Sequence, residues 1–295
     1  MTFSHEIGDY PDGIVLPIDK PYRWTSADVI RKVKFAAIKH FRKKNLKVGH
    51  AGTLDPLATG VLLVCIGPAC KRAQEFQDHD KEYVAGIRFG ATTPSYDLEK
   101  EVDRTFPYEQ VTEEAIRAVL PSFLGTQEQV APLFSAKSVD GVRAYEMARK
   151  MYRNAQKGIL DPDFDAAALE TLHHGTITIS ELELLDFTGA SASGVGQNFF
   201  DLFSGEKILV RGGSADAQST ASSRIHVADT SALGLPEARI RIACSKGTYV
   251  RAFARDLGEA LGTGAHLSSL VRTRTGDFRL EDALSLETAL SMLAE

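Results

Sequence analysis

The chain has only three cysteines in 295 residues, Cys65, Cys70 and Cys244, and their odd number and unpaired spacing offer neither a disulfide framework nor a zinc site. All three lie in apolar or strand-like runs, which fits a reducing, cytoplasmic compartment. No apolar stretch approaches the length of a bilayer-spanning helix. The opening Met-Thr-Phe-Ser-His-Glu has neither the basic start nor the apolar centre of a secretory signal. No metal-ligand spacing or internal repeat is apparent. An excess of positive charge is also missing: 34 Lys and Arg face 39 Asp and Glu, for a net charge of −5. A chain that binds nucleic acid through bulk charge is thereby excluded, but a local basic face is not. Between Lys20 and His50 there are ten Lys or Arg and one acid, Asp28.

What is present is a soluble, globular composition, 43% hydrophobic and 25% charged. The length suits one large domain or two ordinary ones. The densest stretch runs from Lys47 to Gly67. Asp55 sits there in a turn built from Gly49, Gly52, Pro56 and Gly60, followed at once by the apolar run Val61 to Ile66. Pro56 pushes Asp55 out of helical conformation, and the glycines let another backbone or a ligand come close. The apolar run reads as a strand buried on both faces. A carboxylate on a stiff loop against the core is a candidate site, although an isolated Asp-Pro is also a common turn.

Along the chain, Ile14 to Ile18 reads as a strand. Thr25 or Ser26 caps a helix through about Phe41 with Val29, Ile30, Val33, Ala37 and Phe41 on one face. A short helix is expected over 69–76 and an alternating strand over Tyr83 to Phe89. Thr112 opens a helix that Pro121 interrupts. A loop follows over 129–141, then a helix over 143–153. Gly175 to Phe187 and Arg239 to Cys244 read as strands and Thr248 to Leu261 as a helix. Eighteen of the 35 residues from 189 to 223 are Gly, Ser or Ala; about 189–236 reads as a partly flexible insertion without catalytic features.

Gly49-His50-Ala51-Gly52-Thr53-Leu54-Asp55-Pro56-Leu57-Ala58-Thr59-Gly60 resembles the signature of the TruB family of tRNA pseudouridine synthases. Further segments like those of the family follow in order: Asp19-Lys20-Pro21 with Thr25-Ser26, Lys81-Glu82-Tyr83, Phe134-Ser135-Ala136 through Tyr145-Glu146, and Cys244-Ser245-Lys246-Gly247-Thr248-Tyr249-Val250-Arg251. The resemblance implies an α+β, mixed α/β pseudouridine-synthase fold: a largely antiparallel central sheet with flanking helices and an active-site cleft. It implies one catalytic domain over 1–295 carrying the 189–236 insertion. The RNA-binding PUA domain that often follows the catalytic part in this family is not evident after Phe278.

The implied reaction isomerises the T-loop uridine, position 55 of tRNA, to pseudouridine, with no cofactor and no metal. The family's catalytic aspartate falls on Asp55, as nucleophile or base; the atom it attacks is left open. The arginine that holds it ionised falls on Arg251, and the tyrosine that stacks on the target base falls on Tyr83, which the residues alone would place in a strand-end core. Tyr249 and Leu270 match positions lining the same pocket. His50 matches a histidine that displaces the target nucleotide by stacking, its rival role being a catalytic base. Lys20, Lys71, Lys137, Arg143 and Arg149 are candidate phosphate contacts. The expected partner is the T arm of tRNA, with no membrane and no protein partner, in a cytoplasmic monomer. The alternatives are a non-catalytic tRNA-binding chaperone on the same scaffold, a guide-RNA-dependent subunit, which a missing C-terminal domain disfavours, and a hydrolase using Asp55, for which no partner motif is present.

Overall fold

The computed structural model describes residues 3–132, 138–139, 142–143, 174–191 and 225–294. Strand β1 (Ile14–Lys20) buries every second side chain, as the period of a strand requires. Helix α1 (Ser26–His40) is capped by Thr25: its side chain accepts from the Asp28 amide while Asp28 accepts from the Thr25 amide. That reciprocal bond satisfies two amides that a helix start leaves open. Val29, Val33 and Ala37 are fully buried, whereas Arg31, Lys32, Lys34 and Lys39 are exposed. Strands β2 (Val48–Ala51) and β3 (Ala58–Ile66) bracket the Asp55 loop. All nine β3 residues are buried, as an uninterrupted apolar run demands.

Next come a 3₁₀ turn over Gly67–Arg72, α2 (Ala73–Asp78) and β4 (Lys81–Phe89). A small hairpin joins β5 (Ala91–Thr92) to β6 (Arg104–Thr105). Helix α3 (Glu113–Val119) is capped by Thr112 and passes at Leu120-Pro121 into a 3₁₀ turn. Strand β7 (Gly125–Val130), the short pair β8 (Ser138–Val139) and β9 (Val142–Arg143), and the long β10 (His174–Thr188) follow. Then come β11 (Glu237–Cys244), α4 (Val250–Ala260), β12 (Ala265–Thr275), β13 (Phe278–Arg279), β14 (Leu284–Ser285) and α5 (Leu286–Met292).

Among the described residues ten strands form one sheet in the order β14-β1-β3-β12-β4-β11-β10-β7, with β13 on β12 and β2 on β3. Two of its pairings, β1 with β14 and β3 with β12, are parallel; the others are antiparallel. The fold is therefore α+β with a mostly antiparallel sheet.

Several local expectations change. β4 alternates only at its ends, where Glu82 and Arg88 keep partial exposure; between them Val84 and Gly86 are buried on the second face, Gly86 against the side chains of Ser268, Ser269 and Glu237. Gln129 and Val130 belong to β7 rather than a loop, paired to Gly175 and His174 of β10. Arg143 lies in β9, not at a helix start, and the rest of the expected 143–153 helix falls outside the described residues. The helix expected from Thr248 starts at Val250, because Tyr249 is extended and the Thr248 hydroxyl turns back to the Ser245 carbonyl. In β10 the buried positions switch from odd (Ile177, Ile179) to even (Leu184), at a register shift between Ile179 and Glu181. A β-bulge inserts the residue that flips the phase.

Gly60 ties β3 to β12. Its φ is +99°, and a Cβ there would fall 2.2 Å from the Arg272 carbonyl oxygen of the neighbouring strand. Gly60→Ala is expected to cost roughly 2 kcal/mol or more and to lower the melting temperature by about 4 °C or more. Scanning calorimetry measures this; an unchanged melting temperature would mean that the two strands part there without cost.

Candidate active site

The Asp55 loop is held from three sides by named groups. The Ser26 hydroxyl accepts from the Leu54 amide at 3.0 Å and lies 3.2 Å from the Leu54 carbonyl, so the loop is fastened to the start of α1. Lys20, at the end of β1, is fully buried; its ammonium donates to the carbonyls of Pro21 (3.0 Å), Trp24 (2.6 Å) and Pro56 (3.2 Å). Burial of the ammonium pulls its pKa down to about 7, against the attraction of Asp55 and Asp19. Arg272 of β12 is also buried and donates to the carbonyls of Gly52 (3.0 Å) and Val61 (2.8 Å), one before Asp55 and one after it. The Ala58 amide closes the turn on the Asp55 carbonyl at 3.1 Å. Asp19 accepts from the Gly60 amide at 3.0 Å; its carboxyl is raised above the usual range by burial, in spite of that bond.

Arg251 comes from the first turn of α4, 196 residues downstream. Its Nε donates to Asp55 Oδ2 at 2.9 Å and its Nη2 to Oδ1 at 3.1 Å, a two-pronged pair, while Nη1 donates to the Ser95 carbonyl at 3.1 Å. The Arg251 side chain is 6% exposed and that of Asp55 35%, so the carboxylate is the open end of the pair. The start of α4 is itself fixed by Gln129: its side chain accepts from the Tyr249 amide at 2.8 Å and donates to the Tyr249 carbonyl at 3.2 Å. A second carboxylate, Asp97, stands with Oδ2 4.0 Å from Arg251 Nε. It accepts from the Ser95 hydroxyl at 2.6 Å and the Glu99 amide at 2.9 Å. Burial raises its pKa, with Arg251 pulling the other way.

Asp55 and Arg251 lie in a cleft of about 500 Å³, in the range of small-molecule and base pockets, whose lining includes Tyr83, Tyr249, Leu270 and Arg272. Tyr83 is buried, and burial raises the pKa of its phenol. Leu270 pairs with Ala58 on one side and Ala85 on the other, which sets it between the Asp55 loop and β4. Thus Asp55, Arg251, Tyr83, Tyr249 and Leu270 come together. His50 does not line this cleft, whose lining on that segment begins at Gly52. It pairs opposite Val64 in β2, and burial, with the nearby charge of Arg272, lowers its pKa.

The candidate phosphate contacts divide. Lys71 is exposed. Lys20 is not available to a phosphate: all three of its bonds go to backbone carbonyls inside the fold. Lys137 and Arg149 lie outside the described residues, and of Arg143 only the backbone is described. Asp97 and Arg272 are missing from the sequence reading. Asp97 sits in the charged run Asp97 to Asp103, which reads as a solvated loop. Arg272 shares its strand with Arg274, which is half-buried, and is followed by the exposed Arg279 of β13, so nothing in the sequence marks it as the buried one. Among the described residues no group of three or more His, Cys, Asp or Glu is placed to hold a metal ion, and no helix is long and apolar enough to cross a membrane.

The model of the TruB family pseudouridylate synthase (N-terminal domain) matches residues 39–158, and that of the tRNA pseudouridylate synthase B C-terminal domain matches residues 251–295. The chain is 43% identical over 280 residues to the tRNA pseudouridine synthase B of Phocaeicola vulgatus, covering 95% of this chain and 93% of that protein. It is 42% identical over 276 residues to the Bacteroides fragilis enzyme of the same name, covering 94% and 92%. Among solved structures it resembles a chain of a Cbf5-Nop10-Gar1 complex, at 22% identity and a TM-score of 0.57. That likeness covers 97% of this chain and 56% of the other, so the present chain spans little more than half its length and the match speaks to the fold.

Lys20 supplies a pH signature. Below about pH 7 the folded and unfolded chains both keep its proton; between about 7 and the ordinary lysine value of 10.5 only the unfolded chain does. The unfolded state then binds more protons, so this group's contribution to stability rises with pH across that window. Wild type is expected to gain on Lys20→Met by up to ~1.4 kcal/mol per pH unit above pH 7, read from guanidinium unfolding at pH 6, 7.5 and 9. Parallel pH profiles for the two proteins would rule this out.

Proposed function

The chain belongs to the TruB family and is a tRNA pseudouridine synthase, an isomerase, and on that premise we propose that Asp55 is its catalytic nucleophile and the T-loop uridine at position 55 of tRNA its target. The observation that carries the reading is the two-pronged Arg251–Asp55 pair, its carboxylate end exposed in the cleft. Arg251 meets the carboxylate with the opposite charge, and its planar fork fixes the orientation of both oxygens.

In the reaction the N1–C1′ bond of uridine breaks and a C5–C1′ bond forms; the C5 proton leaves and N1 gains one. Atoms and electrons balance within the nucleotide. The chain's part is to supply an oriented carboxylate, hold the freed base, and exclude water from it. Tyr83 stacks on the extruded base, as aromatics do in enzymes that flip nucleotides, and its burial keeps the phenol protonated. Leu270 and Tyr249 wall the pocket. His50, outside the cleft, takes the place of the displaced base in the RNA loop. Bases in an RNA loop can be splayed and stacked in this way, while the stem is read by shape and phosphate.

The exposed lysines and arginines of α1 and of 42–47 offer phosphates a basic face on an acidic chain. The chain acts as a cytoplasmic monomer. Its 295 residues work as one catalytic unit, a reading supported by β14 and β1 pairing in one sheet.

The test is carbodiimide-directed primer extension on an unmodified T-arm hairpin incubated with the purified chain. Wild type is expected to place pseudouridine at the loop uridine and Asp55→Asn to place none. Hairpin binding without product from wild type, or full turnover by Asp55→Asn, would overturn the assignment. Arg251→Lys keeps the charge and loses the fork; kcat is expected to fall by about 100-fold, ~2.7 kcal/mol of transition-state stabilisation. Wild-type kcat from that variant in single-turnover kinetics would remove Arg251 from its role.

A further inference from the structure

The turn between Lys20 and Thr25 contains an anomaly. Arg23 has φ +62°, a left-handed conformation that is uncommon for a side-chain-bearing residue and is shared here with Arg42 and Tyr96. Its Nη2 donates to the Ile225 carbonyl at 2.6 Å, a bond spanning 202 residues. Ile225 opens the described part of the segment leading out of the expected insertion.

Three residues further on, the Ala228 amide donates to the Leu98 carbonyl at 2.8 Å. Ala228, Leu57 and Leu98 form a small buried cluster of their own, separate from the main core, with Tyr22, Ile225 and Val227 packed against it. The segment is then tied to the sheet: the Thr230 hydroxyl accepts from Arg88 at 2.7 Å, and the Pro236 carbonyl accepts from the Phe89 amide at 3.0 Å.

The members of this cluster share one property. Tyr22 is two residues after Lys20, Leu57 two after Asp55, and Leu98 one after Asp97. The cluster therefore touches each of the three loops that carry the acidic constellation and its lysine brace. We propose that residues 225–228 are a strap that positions the Asp55 loop for catalysis, clamped at one end by Arg23 and anchored at the other in the sheet. The assignment rests on the reading of Asp55 as nucleophile. A satellite cluster of this size lies apart from the core, so loosening it frees the loop without unfolding the protein. Displacing a catalytic group by a fraction of an ångström is enough to cost rate.

Arg23→Gly is the decisive variant, because glycine accepts the positive φ and only the tie to Ile225 is lost. On the T-arm hairpin, kcat is expected to fall about tenfold, with KM and hairpin Kd within about twofold of wild type. Arg23→Lys, which can still donate to the Ile225 carbonyl, recovers most of the loss. Amide exchange provides a readout independent of turnover: the Ala58 N–H, which closes the Asp55 turn, exchanges about tenfold faster while the central β3 amides keep their protection. Val227→Ser loosens the cluster from its apolar side and gives the same pattern, which covers the case in which Arg23→Gly folds poorly.

An unchanged kcat and unchanged Ala58 exchange would overturn the strap. A raised Kd with kcat intact would do so too, by making the segment an RNA contact instead. If wild type itself left the hairpin unmodified, the function would fail, while the exchange data would still decide whether 225–228 holds the loop.

Discussion

The bond between Arg251 and Asp55 is the constraint around which the rest is arranged. It joins a loop near the start of the chain to a helix near its end, and both partners need support to meet. On the aspartate side the loop cannot relax toward α1, where Ser26 grips Leu54, nor toward β12, where Arg272 grips Gly52 and Val61. On the arginine side, Gln129 from an edge strand sets the first turn of α4. Two rigid bodies thus present one donor fork and one carboxylate at fixed separation, a geometry that substrate binding does not have to create.

Cations and acids are gathered closely around the Asp55 loop. Lys20, Arg251 and Arg272 are all buried within reach of one loop, and most of their donors are spent on backbone carbonyls rather than on acids. Burying a cation is costly unless every donor is satisfied; here oxygen partners from Pro21, Trp24, Pro56, Gly52, Val61 and Ser95 meet that demand. The exposed basic face of the chain lies elsewhere, on α1 and over 42–47, and gives an acidic chain one local patch of positive charge.

Much of this was legible in the residues, because the features concerned are local. The buried strand at 58–66, the Thr25 cap, the Thr112 cap and the approximate limits of β10 and β11 all follow from periodicity and capping chemistry. Asp55 was legible because proline and glycines crowd around it. Arg251, Tyr83, Tyr249 and Leu270 were named through family likeness, and no periodicity would have singled them out. What escaped depends on distant partners. Lys20 looked like a surface cation because the three carbonyls that bury it come together only in the fold. Asp97 and Arg272 carry no local signature, and β4 lost its alternation at Val84 and Gly86, where side chains from other strands cover its second face. The segment at 225–236 looked spare because its contacts, at Arg23 and Leu98, lie more than a hundred residues away.

The parallel pairing of β3 with β12 has a consequence for how the protein is made. Strands that are neighbours in sequence can pair as they leave the ribosome, but β3 waits for a partner that ends at Thr275. Until then Gly60 has β1 on one side but lacks its β12 neighbour, and the Arg272 bonds that fix the loop do not exist. Contacts of such sequence separation slow folding, because the loop must close before any contact rewards it. The Asp55 loop therefore reaches its full set of restraints only when β12 closes onto β3, long after β1 and β3 are able to pair.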